Sequence, residues 1–136
     1  MGCHLIINYN SNSDGAESVA RECQEEGVET LVLKANVSSD DDCKMLASAA
    51  VEKWGRIDVL VNNAGTTKFV DHANLDGLKA EDFQHIYGVN VIGSYQMVRA
   101  VAEQMKTQKN GGAVVNVASI AAVTGVGSSI AYASSK

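Results

Sequence analysis

Short apolar runs alternate with stretches of helical periodicity along this chain, which predicts an α/β fold: a doubly wound parallel sheet with helices on both faces. Glycines and capping residues punctuate the alternation at the predicted element ends. Polar residues also cluster where the strands should end. Asn8 to Ser11, Asn36-Val37, Asn62 to Gly65 and Ser119 all fall at predicted carboxyl ends, the rim where such sheets hold ligands.

Leu5–Tyr9 is a short apolar run leading into a polar loop, so it reads as a buried strand. Ala16, Val19, Ala20 and Cys23 recur at helical spacing, with Ser13 or Asp14 as N-cap and Gly27 as the stop. Residues 29–35 form the second predicted strand. Ser38 or Ser39 then caps a helix whose apolar face is Cys43, Leu46, Ala47, Ala50, Val51 and Trp54, ended by Gly55. The third strand is Ile57–Val61, running into Asn62-Asn63-Ala64-Gly65. After a polar stretch, a long helical segment spans about Lys79 to Lys109, with Gly88 and Gly93 flanking Asn90. Gly111-Gly112 closes it, and Ala113–Ala118 is a fourth strand that delivers Ser119 at its end.

The 136 residues suit one domain able to bury a core, and 46% apolar with 20% charged residues is ordinary for a globular chain. A net charge of −5 argues against a nucleic-acid partner, which calls for a basic face. No apolar run approaches the ~20 residues that span a bilayer, so no membrane partner is expected, and residues 1–7 lack the basic region of a secretory leader. Met1-Gly2-Cys3 invites a lipidation reading, but Ile6 stands where Ser or Thr is wanted. The three cysteines, odd in number and widely spaced, point to reduced thiols in the cytoplasm. With His4, His72 and His85 they make no ligand spacing, so no metal site is expected.

Chemistry concentrates near the end of the chain. A helix beginning near Tyr132 puts Tyr132 and Lys136 on one face, one turn apart. A free tyrosine titrates near pH 10, so general acid–base work near neutrality needs its phenolate favoured by roughly three units, or ~4 kcal/mol. A neighbouring cation supplies that kind of shift. Ser119, if the fold brings it near, hydrogen-bonds the same substrate oxygen. Alone, Tyr-x-x-x-Lys is weak: a tyrosine covering a helix start beside a solvated lysine looks the same. Asn62-Asn63-Ala64-Gly65 ends a strand with two amides and two small residues, which let a flat ligand approach the backbone or simply build a turn. Asn90 is a poor helix former inside an apolar helix; it either kinks the helix or turns a backbone carbonyl towards a site.

Together these residues resemble the short-chain dehydrogenase/reductase family, and among its members those similar to 3-oxoacyl-(acyl-carrier-protein) reductases. Asn62-Asn63-Ala64-Gly65 matches the strand-end motif, and Asn90, Ser119, Tyr132 and Lys136 fall at the positions of the catalytic Asn, Ser, Tyr and Lys. The resemblance covers the whole chain and implies a Rossmann-like fold. It also implies hydride transfer between a nicotinamide and a small-molecule ketone or secondary alcohol. Tyr132 would be the acid–base, Ser119 would orient the carbonyl, Lys136 would lower the tyrosine pKa and bind the nicotinamide ribose, and Asn90 would anchor a relay water. Asn62, Asn63, Ala64 and Gly65 would border the adenosine and ribose, and Asn36-Val37 would meet the adenine. Asn8, Tyr9, Asn10 and Ser11 carry no acidic residue to repel a 2′-phosphate, which favours NADP(H) over NAD(H). The long helix would pair with its copy in a homodimer or homotetramer, although Val91, Met97, Val98, Val101, Ala102 and Met105 serve equally as core.

The family's first strand and Gly-rich phosphate turn, and its later strands, have no counterpart in residues 1–136, so the expectation is a single partial nucleotide-binding domain. As such it should turn over negligibly. The competing expectation is a non-catalytic binding or interaction module that keeps the fold without the chemistry.

Overall fold

The computed structural model describes residues 2–136, and its element order is the predicted alternation. Leu5–Tyr9 forms β1 and Thr30–Lys34 forms β2. They pair in parallel with Leu5 opposite Thr30 and Tyr9 opposite Lys34. Between them runs α1, Ser13–Glu25. Its N-cap is Asn12, not Ser13 or Asp14: the Asn12 carboxamide accepts from Gly15 N at 3.0 Å, so the next two residues already lie in the helix. Ala16 and Ala20 face the strands and are buried, whereas Val19, expected on the same face, is 48% exposed. Helix α1 packs on β1 and β2.

Helix α2, Asp40–Trp54, starts at the Ser39 cap, whose hydroxyl accepts from Asp42 N, and stops at Gly55 in the left-handed conformation with φ 72°. Cys43, Leu46 and Ala47 drive its face into the core. Strand β3 is Val59–Asn62, two residues later at its start than the apolar run suggested, because Ile57 is held outside the ladder by Gln108. Strand β4, Ala113–Asn116, pairs with β3 in parallel and ends before the expected Ala118.

The long helical segment is three pieces in series: α3 (Ala80–Tyr87), a π-helical turn (Gly88–Gly93) and α4 (Ser94–Thr107). Met97, Val101 and Met105, spaced by four, bury one face of α4 against α2 and strand residues, so these three positions are core. Two short helices follow, α5 (Ala121–Thr124) and α6 (Ile130–Ser135).

The parallel pairing is therefore realised as two two-stranded ladders, β1–β2 and β3–β4, joined through α2 and α4 and not through strand hydrogen bonds. Val59 and Val61 of β3 remain about half exposed, as do Val114 and Val115 of β4. These strands read as buried runs in the sequence, but each has a single bonded neighbour and α4 covers β3 on one side.

Candidate active site

The carboxyl end of β3 delivers Asn62 and the Asn63-Ala64-Gly65 turn. Asn62 is buried and points its amide inward, donating to Asn116 Oδ1 at 2.9 Å and to the Ser94 carbonyl at 3.3 Å. It clamps β3 to β4 and α4. Asn63, Ala64 and Gly65 are exposed.

Asn90 sits in the π-turn, a form of helix found often at functional sites. Its side chain is 7% exposed and fully bonded: Oδ1 accepts from Thr66 N at 2.8 Å, while Nδ2 donates to the Thr66 carbonyl at 3.0 Å and to Ser135 Oγ at 2.8 Å. Thr66 presents one donor and one acceptor, which dictates the orientation of the amide. The Asn90 carbonyl accepts from Ser94 Oγ at 3.1 Å.

Helix α6 carries Tyr132 and ends next to Lys136. Ser129, entirely buried, caps it by accepting from Tyr132 N at 3.3 Å. Six residues are too few for a helix to persist unaided; its capping hydroxyl and its packing on α3 and α5 hold it. The Lys136 ammonium donates to the Val117 carbonyl at 2.8 Å, just beyond β4. A methyl placed on Gly65 would lie 3.6 Å from Asn90 Oδ1 and 3.8 Å from Lys136 Nζ. Three distant stretches thus meet around one open glycine backbone.

Tyr132, Lys136, Asn63 and Gly65 line a single cleft of about 500 Å³, walled further by Thr66, Thr67, Phe69, Val117, Ala118 and Ser128. Two loops form its far wall. Val70 N donates to the Ser128 carbonyl at 2.9 Å, and the Thr67 and Ser128 hydroxyls share a hydrogen bond. Lys68 ties the first loop to α3 through Asp82, and that lysine, with the Lys79 backbone N–H, holds the Asp82 carboxyl below its ordinary value. Ser119 stands one residue beyond the cleft wall at Ala118; its hydroxyl accepts from Ala121 N at 3.2 Å, in the turn that starts α5.

The residues expected at the adenosine end lie apart from this cleft, at the ends of β1 and β2. Asn8 is turned inward, its amide donating to the Ala35 carbonyl at 2.9 Å. Tyr9 is half-buried, and Asn10 and Ser11 are exposed. Asn36 closes a local turn by accepting from Ser38 N and Ser38 Oγ. Val37 is buried, its carbonyl taken by Gln96 Nε2 at 2.8 Å. Sequence reasoning passed over Thr66, Ser129 and Ser135. The Ser129 cap was visible as a serine three residues before Tyr132, whereas the bonds to Thr66 and Ser135 leave no local mark. Among the described residues no cluster of His, Cys, Asp or Glu suits a metal ion.

A family model described as short chain dehydrogenase matches residues 1–136. The chain belongs to the short-chain dehydrogenase family. It is 33% identical over 135 residues to a 3-oxoacyl-[acyl-carrier-protein] reductase of Synechocystis, an alignment covering 99% of this chain and 53% of that protein. A crystal structure of a short-chain dehydrogenase/reductase from Burkholderia xenovorans superposes with a TM-score of 0.93 at 38% identity, over 99% of this chain and 57% of the other. An alcohol dehydrogenase from the archaeon Thermococcus sibiricus, complexed with 5-hydroxy-NADP, superposes with a TM-score of 0.84 at 27% identity, over 98% and 55%. The short-chain dehydrogenase fold is thus shared throughout, and the chain spans about half the length of the curated relatives it matches. Short-chain dehydrogenases are nicotinamide-dependent oxidoreductases acting on small molecules. No described helix here is long and apolar enough to cross a membrane.

Proposed function

We propose that the protein carrying these residues transfers a hydride between NADP(H) and a ketone or secondary alcohol, with Tyr132 as general acid–base. The observation that carries this reading is that the Lys136 ammonium and Asn90 Oδ1 both approach the Gly65 backbone, and that Gly65, Tyr132 and Lys136 line one cleft. A methyl on Gly65 would make only ordinary contacts, so a flat ring has access to that backbone. The nicotinamide supplies or accepts the hydride when bound. Lys136 would hold its ribose and favour the charged form of the nearby phenol. Tyr132 gives a proton to the carbonyl oxygen, or takes one from the alcohol, and Ser119, next to the cleft-lining Ala118, would orient that oxygen. Asn90 holds the Thr66 backbone and α6 at fixed spacing.

The preference for NADP(H) rests on Asn10 and Ser11, exposed at the end of β1 with no carboxylate among Asn8 to Ser11. The complexed archaeal relative agrees with it. The outer face of the π-turn and α4, where Val91 and Tyr95 are exposed, would pair with its copy in a homodimer or homotetramer. The free thiols Cys3, Cys23 and Cys43 suit a reducing cytoplasm.

The test is NADPH oxidation by the intact protein with short keto esters, comparing wild type with Tyr132→Phe. General acid–base catalysis contributes roughly 10²- to 10⁴-fold. The variant should lose about that much in kcat while still binding NADPH. Equal turnover by the variant would overturn the role of Tyr132. NADPH binding without turnover of any ketone would favour the non-catalytic alternative.

A further inference from the structure

A chain of hydrogen bonds runs from the end of β3 to the backbone of Tyr132, and its central link is a serine with no part in the chemistry above. Asn90 Nδ2 donates to Ser135 Oγ at 2.8 Å, and Ser135 Oγ donates to the Tyr132 carbonyl at 2.8 Å. Both side chains are buried, Asn90 at 7% and Ser135 at 8% exposure. The hydroxyl has one proton, given to Tyr132, and accepts the amide proton with a lone pair, so the order of donors is unambiguous. Without Ser135, one Asn90 N–H would be buried and unbonded, since Thr66 already takes the other two of the amide's bonds.

Helix α6 has one and a half turns in which to present two groups to one cleft. Ser129 anchors its first turn through Tyr132 N, and nothing in that cap relates α6 to Asn90. Ser135 supplies the relation, because it bonds Tyr132 and Asn90 at once and directly precedes Lys136. We infer that Ser135 is a positioning residue: it sets the placement of Tyr132 and Lys136 relative to Asn90 and the Gly65 backbone. The effect on catalysis rests on the oxidoreductase reading above; the positioning itself does not.

The experiment uses the intact protein with Ser135→Ala and Ser135→Thr. Threonine keeps the hydroxyl, and in a helix its Oγ1 readily bonds the carbonyl one turn back. The first readout is proton exchange at the side-chain amide of Asn90, followed by NMR on asparagine-labelled protein. Exchange should quicken by about 10-fold or more in Ser135→Ala as the local protection is lost, and stay near wild type in Ser135→Thr. The second readout is steady-state kinetics, with kcat expressed per NADPH-binding site so that unfolded protein does not count. Misplacing a catalytic group by about 1 Å costs up to roughly 10²-fold. Ser135→Ala should therefore lose about 10- to 100-fold in kcat with KM nearly unchanged, and Ser135→Thr should recover most of it. Unchanged Asn90 exchange in Ser135→Ala overturns the proposal, as does a kcat equal to wild type. A loss that threonine fails to restore also overturns it. If wild type turns over no carbonyl compound, the oxidoreductase reading falls, and the exchange comparison alone decides the positioning role.

Discussion

Two glycines flank Asn90 in one π-turn, and replacing each with alanine should change stability in opposite directions. At Gly93 an added Cβ would sit 2.7 Å from Val37 Cγ2, 3.1 Å from Val37 Cβ and 3.1 Å from the Val37 carbonyl oxygen. That carbonyl already accepts from Gln96 Nε2 at 2.8 Å and Cys43 Sγ at 3.2 Å, so the loop cannot retreat without stretching both. Overpacking of this kind costs about 1–3 kcal/mol, against a helix-propensity gain of about 1 kcal/mol for alanine over glycine. Because the obstacle includes bonded backbone, the upper half of the cost applies, leaving a net loss of about 1–2 kcal/mol. At Gly88 the nearest atom is Ser38 Cβ at 3.8 Å, an ordinary contact, so only the propensity gain remains. The two variants should thus differ by about 2–3 kcal/mol, or roughly 7–10 °C in melting temperature for a chain of this size. Urea unfolding followed by the emission of Trp54, the single tryptophan, measures the difference. A Gly93→Ala protein as stable as Gly88→Ala would refute the close approach of the π-turn to Val37.

Asn62→Ala should cost about 1–3 kcal/mol, measured by the same unfolding assay, because it removes the amide joining β3 to Asn116 and Ser94; an unchanged midpoint would show that link to be idle. The Cys43 thiol is pushed above its ordinary value, first by burial and then by Asp40 and Asp42. A thiol reagent at pH 8 should therefore label exposed Cys3 at once and reach Cys43 only on unfolding, as counted by mass spectrometry. Asp40 is held below its ordinary value of 3.8 by its hydrogen bond from Lys44 and then by that from Arg99. A carboxyl depressed on folding contributes stability in full above 3.8, and the contribution disappears as pH falls through the lower folded value. Asp40→Asn should accordingly flatten the stability profile below about pH 4, and should lower stability slightly at neutral pH, less so in high salt.

Most local features were legible. The helix of α2 is bracketed by Ser39 and Gly55 because a capping hydroxyl and a residue free to adopt φ 72° act within one turn of the chain. The start of α1 was misplaced by a residue or two, since Asn12, Ser13 and Asp14 are all competent caps and only the bond to Gly15 N selects the first. Asn90 stood out as an amide inside an apolar helix, but its partners Thr66 and Ser135 lie 24 and 45 residues away. The π-turn was likewise hidden. Within it Gly93 lies close against Val37, a contact with no local signature.

The amino-acid sequence by itself determined the succession of strands and helices, their stops, and which side chains are candidates for acid–base chemistry. Periodicity, capping and backbone freedom operate over a few neighbouring residues, so they can be read along the chain. Only the tertiary structure decided the register of the paired strands and that Met97, Val101 and Met105 are core. It alone brought Asn90 and Lys136 close to the Gly65 backbone while sending the Asn62 amide inward. Those outcomes depend on the chain returning to itself across dozens of residues, where packing and the satisfaction of buried polar groups choose the partner.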